Sequence, residues 1–376
     1  MLLILVSDYK TEDRPYVNGF VHSRVLSYLK QGTSAEVFVL NEKRKKNEYE
    51  IDGVVVHVGN VSDLQHFVME RSVKNVCVHF LCSEMISFFS KCCQPLNILI
   101  FVHGNEALHW YQRIFPGVLS SVRQLLAFAK YIFVNTCEIR NIKRFLKNTH
   151  HKCTFVTVSH WMKQAAEHAW ACEDKFNWNI IPNIVDSGRF PFVEKEKNLR
   201  FNLLSIRPFS TGKYANDITA EVINKLSLKP YFGQVSFKWV GAGRLYETCV
   251  KRVKQFKNVF LENRLLSQKE IPEYHKQSGI FVCPTRQDAQ GVSMCEAMMS
   301  GLVPITLYNT AIPEFLPNNS MLICRSADEM VSLIERLISD PELFISLSKE
   351  CSQFVQEKCG YTNTTKKELD LIMGLE

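Results

Sequence analysis

The sequence predicts an α/β protein built from two doubly wound, parallel sheets in tandem. Three observations carry this. Short apolar, β-rich runs alternate with amphipathic helical patterns through the first half. The same alternation restarts after residue 200, beyond a join that is Pro-rich and then charged. A strand–loop–helix–strand unit over 279–306 has the punctuation of a ligand-binding βα turn.

In the first half, strands are expected at Leu2–Ser7, Ala35–Leu40, Val54–Val58, Val76–Phe80, Ile98–His103, Tyr131–Asn135, Thr154–Ser159 and Asn179–Pro182. Helical patterns lie between several of them. In Val17–Gln31, Phe20, Leu26 and Leu29 form the apolar set while Arg24 and Lys30 are polar. The second set of strands is Phe201–Ile206, Ser236–Val240, Val259–Leu261, Gly279–Cys283, Val303–Thr306 and Met321–Cys324. From Ala327 onward the pattern is helical. The join runs from Pro182 through Pro191 to the Glu194-Lys195-Glu196-Lys197 run. The expected division is an N-terminal α/β domain over 1–183 and a second α/β domain over 184–355. A C-terminal helix over 356–376 packs back on the first domain.

Composition narrows the class. The chain has 376 residues, 46% hydrophobic and 22% charged, which suits two globular domains. There is no apolar run of about 18 residues, so no membrane span is expected. The apolar start, MLLILVSDYK, reads as a buried strand. The 13 cysteines contain no C-x-x-C spacing and read as reduced, buried thiols of a cytosolic protein rather than a zinc site. The net charge of +7 lies mainly in the first half and suits an anionic partner. Around Ile139, Ile142, Phe145 and Leu146, the cations Arg140, Lys143, Arg144 and Lys147 fall on one side of a helix. Either membrane-surface attachment or a solvated helix face fits that pattern. No aromatics interleave with the cations as in a single-strand nucleic-acid groove, so no nucleic-acid partner is expected.

The chemistry concentrates in Cys283–Glu314. Pro284 ends a strand, a polar loop follows, Gly291 opens a helix and Gly301 closes it. The N–H groups of Gly291, Val292 and Ser293 have no intrahelical acceptor and face an anion with the favourable end of the helix dipole. Glu296, further along the helix, can accept hydrogen bonds from a diol. Arg207 and Lys213, six residues apart, follow the strand at Phe201–Ile206. Arg offers a planar fork to two oxygens and Lys a mobile point charge. Gly241-Ala242-Gly243 lacks the third glycine of a dinucleotide fingerprint, position 246 being Tyr, and reads mainly as a turn.

Asp288, seven residues, Glu296-Ala297-Met298 and then Gly301-Leu302-Val303-Pro304 resemble the signature of retaining glycosyltransferases of the GT-B fold, in particular glycosyltransferase family 4. The first acid is Asp here, where the family has Glu. Asn179–Asp186 resembles the family's interdomain sequence, and Ser159 ends its strand as the family's serines do. The resemblance implies two Rossmann-like domains whose parallel sheets face across a cleft. Arg207 and Lys213 would hold the donor diphosphate, Glu296 the ribose hydroxyls, and Asp288 the donor sugar near the reacting carbon. His103, at a strand end before Gly104, would hydrogen-bond the sugar. Gly19 would stand for the glycine-rich loop facing the phosphates, and Gly241 would lie near the donor base. Glu262-Asn263-Arg264 could line the base pocket, and Glu314 matches a family Glu without entering the main assignment.

The implied activity is transfer of a hexose-type sugar, with retention, from a nucleotide-sugar to a hydroxyl of a glycan or lipid-linked acceptor. The nucleotide-sugar is a co-substrate and no metal or other cofactor is expected. The implied setting is surface polysaccharide or lipopolysaccharide-type biosynthesis, in the cytoplasm or peripherally at the inner face of the membrane. A nucleotide-sugar epimerase and a non-catalytic GT-B partner subunit are the alternatives; the Asp at 288 and the single glycine at Gly19 motivate the latter.

Overall fold

The computed structural model describes residues 1–14, 17–43, 46–116, 122–172, 176–318 and 320–374. The chain divides into two compact units. One comprises Met1–Arg113, Ala129–Ile184 and Tyr361–Glu376; the other comprises Ile114–Phe128 and Val185–Gly360.

The first unit opens with β1 (Leu2–Val6), LLILV, in which every residue is buried. A strand buried on both faces needs an unbroken apolar run rather than alternation. Then follow α1 (Gly19–Lys30), β2 (Ala35–Leu40), β3 (Asn47–Ile51), β4 (Val54–Gly59), α2 (Val61–Glu70), β5 (Asn75–His79), α3 (Ser83–Lys91), β6 (Asn97–Val102), α4 (Val122–Asn148, which belongs to this unit from Ala129 onward), β7 (Lys152–Thr157), α5 (His160–Trp170) and β8 (Trp178–Ile180). The eight-stranded sheet has the order β3-β4-β2-β1-β5-β6-β7-β8. Its pairs are parallel except β3 with β4, which is antiparallel. From β1 the chain winds outward one way to β2 and β4, then returns to β5 on the other side. That reversal is a topological switch point, where loops at the carboxyl ends of neighbouring strands part and leave room for a ligand.

Three expectations are corrected. Tyr131–Asn135 is not a strand but part of α4. Its apolar run is too short to settle its own period. The buried positions Asn135, Ile139, Ile142 and Leu146 recur at helical spacing, while Phe133 and Val134 face outward. The sheet has an antiparallel edge, β3, that the pattern NEYEI hid because its alternate residues stay exposed. Met321–Cys324 is not a strand: a single 3-10 turn spans Ser320–Leu322, and the second sheet ends before it.

The second unit contains β9 (Asn202–Ile206), α6 (Asn216–Leu226), β10 (Ser236–Val240), α7 (Tyr246–Val250), β11 (Val259–Glu262), α8 (Ile271–Lys276), β12 (Ile280–Val282), α9 (Val292–Met299), β13 (Val303–Ile305), α10 (Ala327–Ser339) and α11 (Pro341–Cys359). Its five strands, order β11-β10-β9-β12-β13, are all parallel. Here the winding reverses between β9 and β12. The loops that follow these two strands hold Arg207–Lys213 and Pro284–Gly291. Asp340 caps α11 with its carboxylate, and Pro341 at the first helical position supplies a preset φ. The helix then runs unbroken through position 355, and the chain changes unit after Gly360.

The last helix, α12 (Thr365–Met373), belongs to the first unit. Its Leu369 and Ile372 join the core made by β1, β2, β4 and α1. Arg24 of α1 donates through Nε to Glu368 Oε1 at 2.7 Å and through Nη1 to Asn183 Oδ1 at 2.9 Å. Tyr28 donates to the other oxygen of Glu368 at 2.6 Å. Both charges of this pair are about 1% exposed, so neither has water to fall back on. Among the described residues, no helix is long and apolar enough to cross a membrane.

Candidate functional site

In the second unit, the carboxyl end of β9 delivers Arg207 into the protein. It is 4% exposed. Its Nη1 donates to Ser293 Oγ at 2.8 Å, its Nη2 stands 4.0 Å from Asp288 Oδ2, and its guanidinium carbon lies 5.1 Å from the centre of the Tyr214 ring. Its buried Nε has no hydrogen-bond partner among the described residues. A guanidinium so enclosed keeps unsatisfied donor capacity that an anion would use. Arg207, Asp288 and Ser293, which the sequence places in two distant segments, therefore meet.

The turn beside them is shaped by two glycines. A Cβ on Gly241 would stand 1.9 Å from the Arg207 carbonyl oxygen, and one on Gly243 would stand 2.4 Å from the Phe209 carbonyl carbon. Both have positive φ, 157° and 146°. The strand-end loops then hydrogen-bond: Arg207 N–H donates to Val240 O, and Phe209 N–H to Ala242 O. Gly241 acts here by letting the Arg207 backbone pass close to β10's end.

Lys213 sits in a 3-10 turn, Gly212–Tyr214, started by Thr211, whose hydroxyl accepts from Lys213 N–H at 3.3 Å. Its ammonium lies 5.6 Å from the Tyr214 ring centre. Tyr214 thus lies against both cations and limits their wandering. The Lys213 loop is tied to the Asp288 loop through Arg286. Arg286 N–H donates to Lys213 O at 2.9 Å, and its Nη1 to Gly212 O at 2.7 Å. The same guanidinium grips Asp217 in a fork, 2.8 and 2.6 Å. Burial pushes the Asp217 carboxyl up, but Arg286 and backbone N–H groups outweigh it and hold the pKa below the ordinary value. Sequence reading missed Tyr214, Arg286 and Asp217. Arg286 lies two residues before Asp288, which was a signal; nothing links it to Asp217 along the chain.

Asp288 is held by its backbone: its N–H donates to Thr310 Oγ1 at 3.0 Å and its carbonyl accepts from that hydroxyl at 3.1 Å. Its carboxylate also accepts from Gln290 N–H at 3.4 Å. Gly291, at φ 79°, caps α9 without any side-chain cap, leaving the first N–H groups of Val292 and Ser293 to other acceptors. Glu296 is one turn on and partly exposed. Loss of hydration pushes its carboxyl up to about 7, against the pull of Arg189. No hydrogen-bond partner of its side chain is found among the described residues.

Glu262 and Arg264 go to each other instead. Arg264 donates to Glu262, Glu270 and Tyr274 at 2.9, 2.6 and 2.9 Å, forming an exposed network after β11.

In the first unit, β5 and β6 are paired neighbours; β5 ends in His79, and His103 directly follows β6. His79 Nδ1 and His103 Nε2 are 2.9 Å apart in one hydrogen bond. Phe20 and Phe80 lie against the His103 ring at 4.9 and 4.5 Å. Burial first, and then the Arg24 charge, holds His103 well below the ordinary imidazole value. His103 is thus neutral at pH 7, with its Nδ1 not engaged by His79. Glu106 fixes the turn by accepting from the N–H groups of His103 and Gly104, at 2.7 and 3.0 Å. Burial pushes Glu106 up to about 6, and those N–H groups restrain the rise. Gly19 opens α1 in open space, where a Cβ would meet nothing within 4 Å. Pro15 and Tyr16 of its loop lie outside the described residues. Asp8 and Arg14 close that loop with a fork of 2.8 and 2.7 Å.

Among the described residues, no group of three or more His, Cys, Asp or Glu side chains could hold a metal ion.

Residues 203–340 match the family model described as Glycosyl transferases group 1. That segment carries every second-unit residue of this site except Arg189. No curated protein sequence matches the chain. Solved structures match along its whole length. Sucrose-phosphate synthase from Thermosynechococcus elongatus is 13% identical, with a TM-score of 0.76, over 100% of this chain and 98% of that one. An α,α-trehalose-phosphate synthase (UDP-forming) from Burkholderia vietnamiensis is 10% identical, TM-score 0.69, over 100% and 98%. A TarM mutant from S. aureus, solved with UDP, is 11% identical, TM-score 0.67, over 100% and 99%. The chain thus has the GT-B fold of two Rossmann-like domains, and its second unit is related to the group 1 glycosyl transferases.

Proposed function

We propose that this protein is a retaining glycosyltransferase that moves a hexose-type sugar from a nucleotide-sugar to a hydroxyl of a glycan or lipid-linked acceptor, in the assembly of a surface polysaccharide or lipopolysaccharide-type glycan. The observation that carries the reading is the buried, incompletely satisfied Arg207 guanidinium bonded to Ser293 at the uncapped start of α9. An enclosed cation beside free helix N–H groups favours a diphosphate.

Arg207, Lys213 and the N–H groups of Val292 and Ser293, at the turn made by Gly291, would bind the donor diphosphate. When the bond from the anomeric carbon to the phosphate oxygen breaks, its electron pair goes to that oxygen. Fixed cations stabilise this growing charge more than the ground state. The acceptor oxygen bonds to the anomeric carbon from the same face, and its proton passes to the departing phosphate oxygen. This needs no protein nucleophile. Glu296, ionised, would accept from both ribose hydroxyls. Asp288 would accept from a donor-sugar hydroxyl; it is one methylene shorter than Glu, which its short tether to Thr310 suits. In the first unit, neutral His103 would bond a sugar hydroxyl, with Gly19 leaving its loop open to phosphate. Gly241 supports the Arg207 backbone.

A thermal-shift screen with UDP, GDP, CMP and their sugars tests the donor assignment. One nucleotide should raise the melting temperature by mass action, and Lys213→Ala should remove that rise and abolish transfer in a folded protein. No shift with any nucleotide, or full turnover by Lys213→Ala, would reject the proposal.

A further inference from the structure

The helix α4 runs over 27 residues and buries one face. Its inner face, Asn135, Ile139, Ile142 and Leu146, is buried. Its outer face carries Lys130, Phe133, Arg140, Arg144 and Lys147, spaced by three, four or seven residues and so aligned along one stripe, with Val134 and Lys143 at its flanks. Phe133 is 71% exposed and Val134 43%, among the large apolar side chains most open to water in this unit. The cations are all exposed. Some lysines elsewhere find carboxylates: Lys10 reaches Asp52, Lys225 reaches Asp328 and Lys229 reaches Glu335. Among the described residues Lys130, Arg140, Lys143, Arg144 and Lys147 have no ion pair. The acid of this stretch, Glu138, is turned aside to accept from Ser83 N–H and Oγ at 2.8 and 2.9 Å.

We infer that this stripe docks on an anionic lipid bilayer. Five unpaired cations on one face match a negative surface, and each gains from it while the aromatic ring leaves water for the headgroup boundary. The exposed Phe133 and Val134 share this side of the helix with the cations, and Glu138, the one acid of α4, lies off the stripe. The stripe lies wholly on α4 and stands apart from the donor-site reading: vesicle binding and nucleotide binding succeed or fail separately.

The test is co-sedimentation of the full chain with phosphatidylcholine vesicles, alone or with an equal part of phosphatidylglycerol, at low and high salt. The wild type should bind the anionic vesicles at low salt and release in high salt. Partition should fall about fivefold for each cation removed in Arg140→Ala and Arg144→Ala, and about tenfold in Phe133→Ser. These side chains are exposed, so the variants should melt as wild type does, and the salt response of the wild type is informative without them. Absence of wild-type binding to the anionic vesicles, binding that folded variants leave unchanged, or retention on RNA without vesicle binding would overturn the inference.

Discussion

Arg207 and Ser293, which come from separate strand ends of one sheet, are joined by a 2.8 Å hydrogen bond. The bond aims a buried guanidinium along the start of α9 and uses one lone pair of the serine hydroxyl. The O–H of Ser293 can still donate, so the residue offers a ligand its hydroxyl as well as its backbone N–H. Ser293→Ala should leave the fold intact and free the guanidinium to move. Donor binding should weaken by about 1.5–3 kcal/mol, the range for one hydrogen bond to a charged group, measured as a rise in the donor Kd. Unchanged affinity would remove Ser293 from the orientation of Arg207.

Glu296 links the site to pH. Its folded pKa, about 7, lies above the ordinary carboxyl value. The folded state therefore holds a proton that the unfolded state releases, and stability from this group is lost as pH rises through about 7. Glu296→Gln should raise stability at pH 8 by about 1–3 kcal/mol and leave it unchanged near pH 4. Urea unfolding at the two pH values measures this. The same variant should weaken donor binding, because an amide cannot accept from two hydroxyls as a carboxylate does.

The Arg286–Asp217 fork should behave in the opposite sense. The Asp217 pKa lies below its ordinary value, so its contribution is present above that value and fades as pH falls through the folded one. Asp217 is half exposed, and solvent screens the pair, so Asp217→Asn should cost only about 1 kcal/mol at pH 7. The loss should vanish in acid. A larger effect on transfer than on stability would show that the fork matters by holding the Lys213 loop.

Gly241→Ala is predicted to be severe. Its Cβ would fall 1.9 Å from the Arg207 carbonyl oxygen, at a φ that L residues rarely adopt. The expected loss is about 2–4 kcal/mol, with donor binding gone in whatever protein stays folded. A crystal structure of the variant with the Arg207 loop unmoved would contradict this.

Removing one partner of the Arg24–Glu368 pair strands the other without water. Arg24→Met should cost about 3–5 kcal/mol in chemical unfolding, and Arg24→Met with Glu368→Met much less than twice that. Equal additive losses would show that the two charges do not depend on each other.

The amino-acid order alone was enough for most of the alternation of buried strands and helices, because strands covered on both faces, such as LLILV, need continuous apolar runs. It also placed the Arg207, Lys213, Asp288 and Gly291 loops at strand ends, since glycine, proline and polar clusters interrupt those runs locally. Tertiary structure alone decided what these loops hold. The Arg207–Ser293 bond, the Arg286–Asp217 fork and the His79–His103 contact join residues far apart in sequence, and no local pattern encodes which pairs the sheet order brings together. It also decided that Tyr131–Asn135 is helical and that β3 is an antiparallel edge. In both places a short segment is compatible with two conformations, and only the surface that its neighbours leave to be covered selects one.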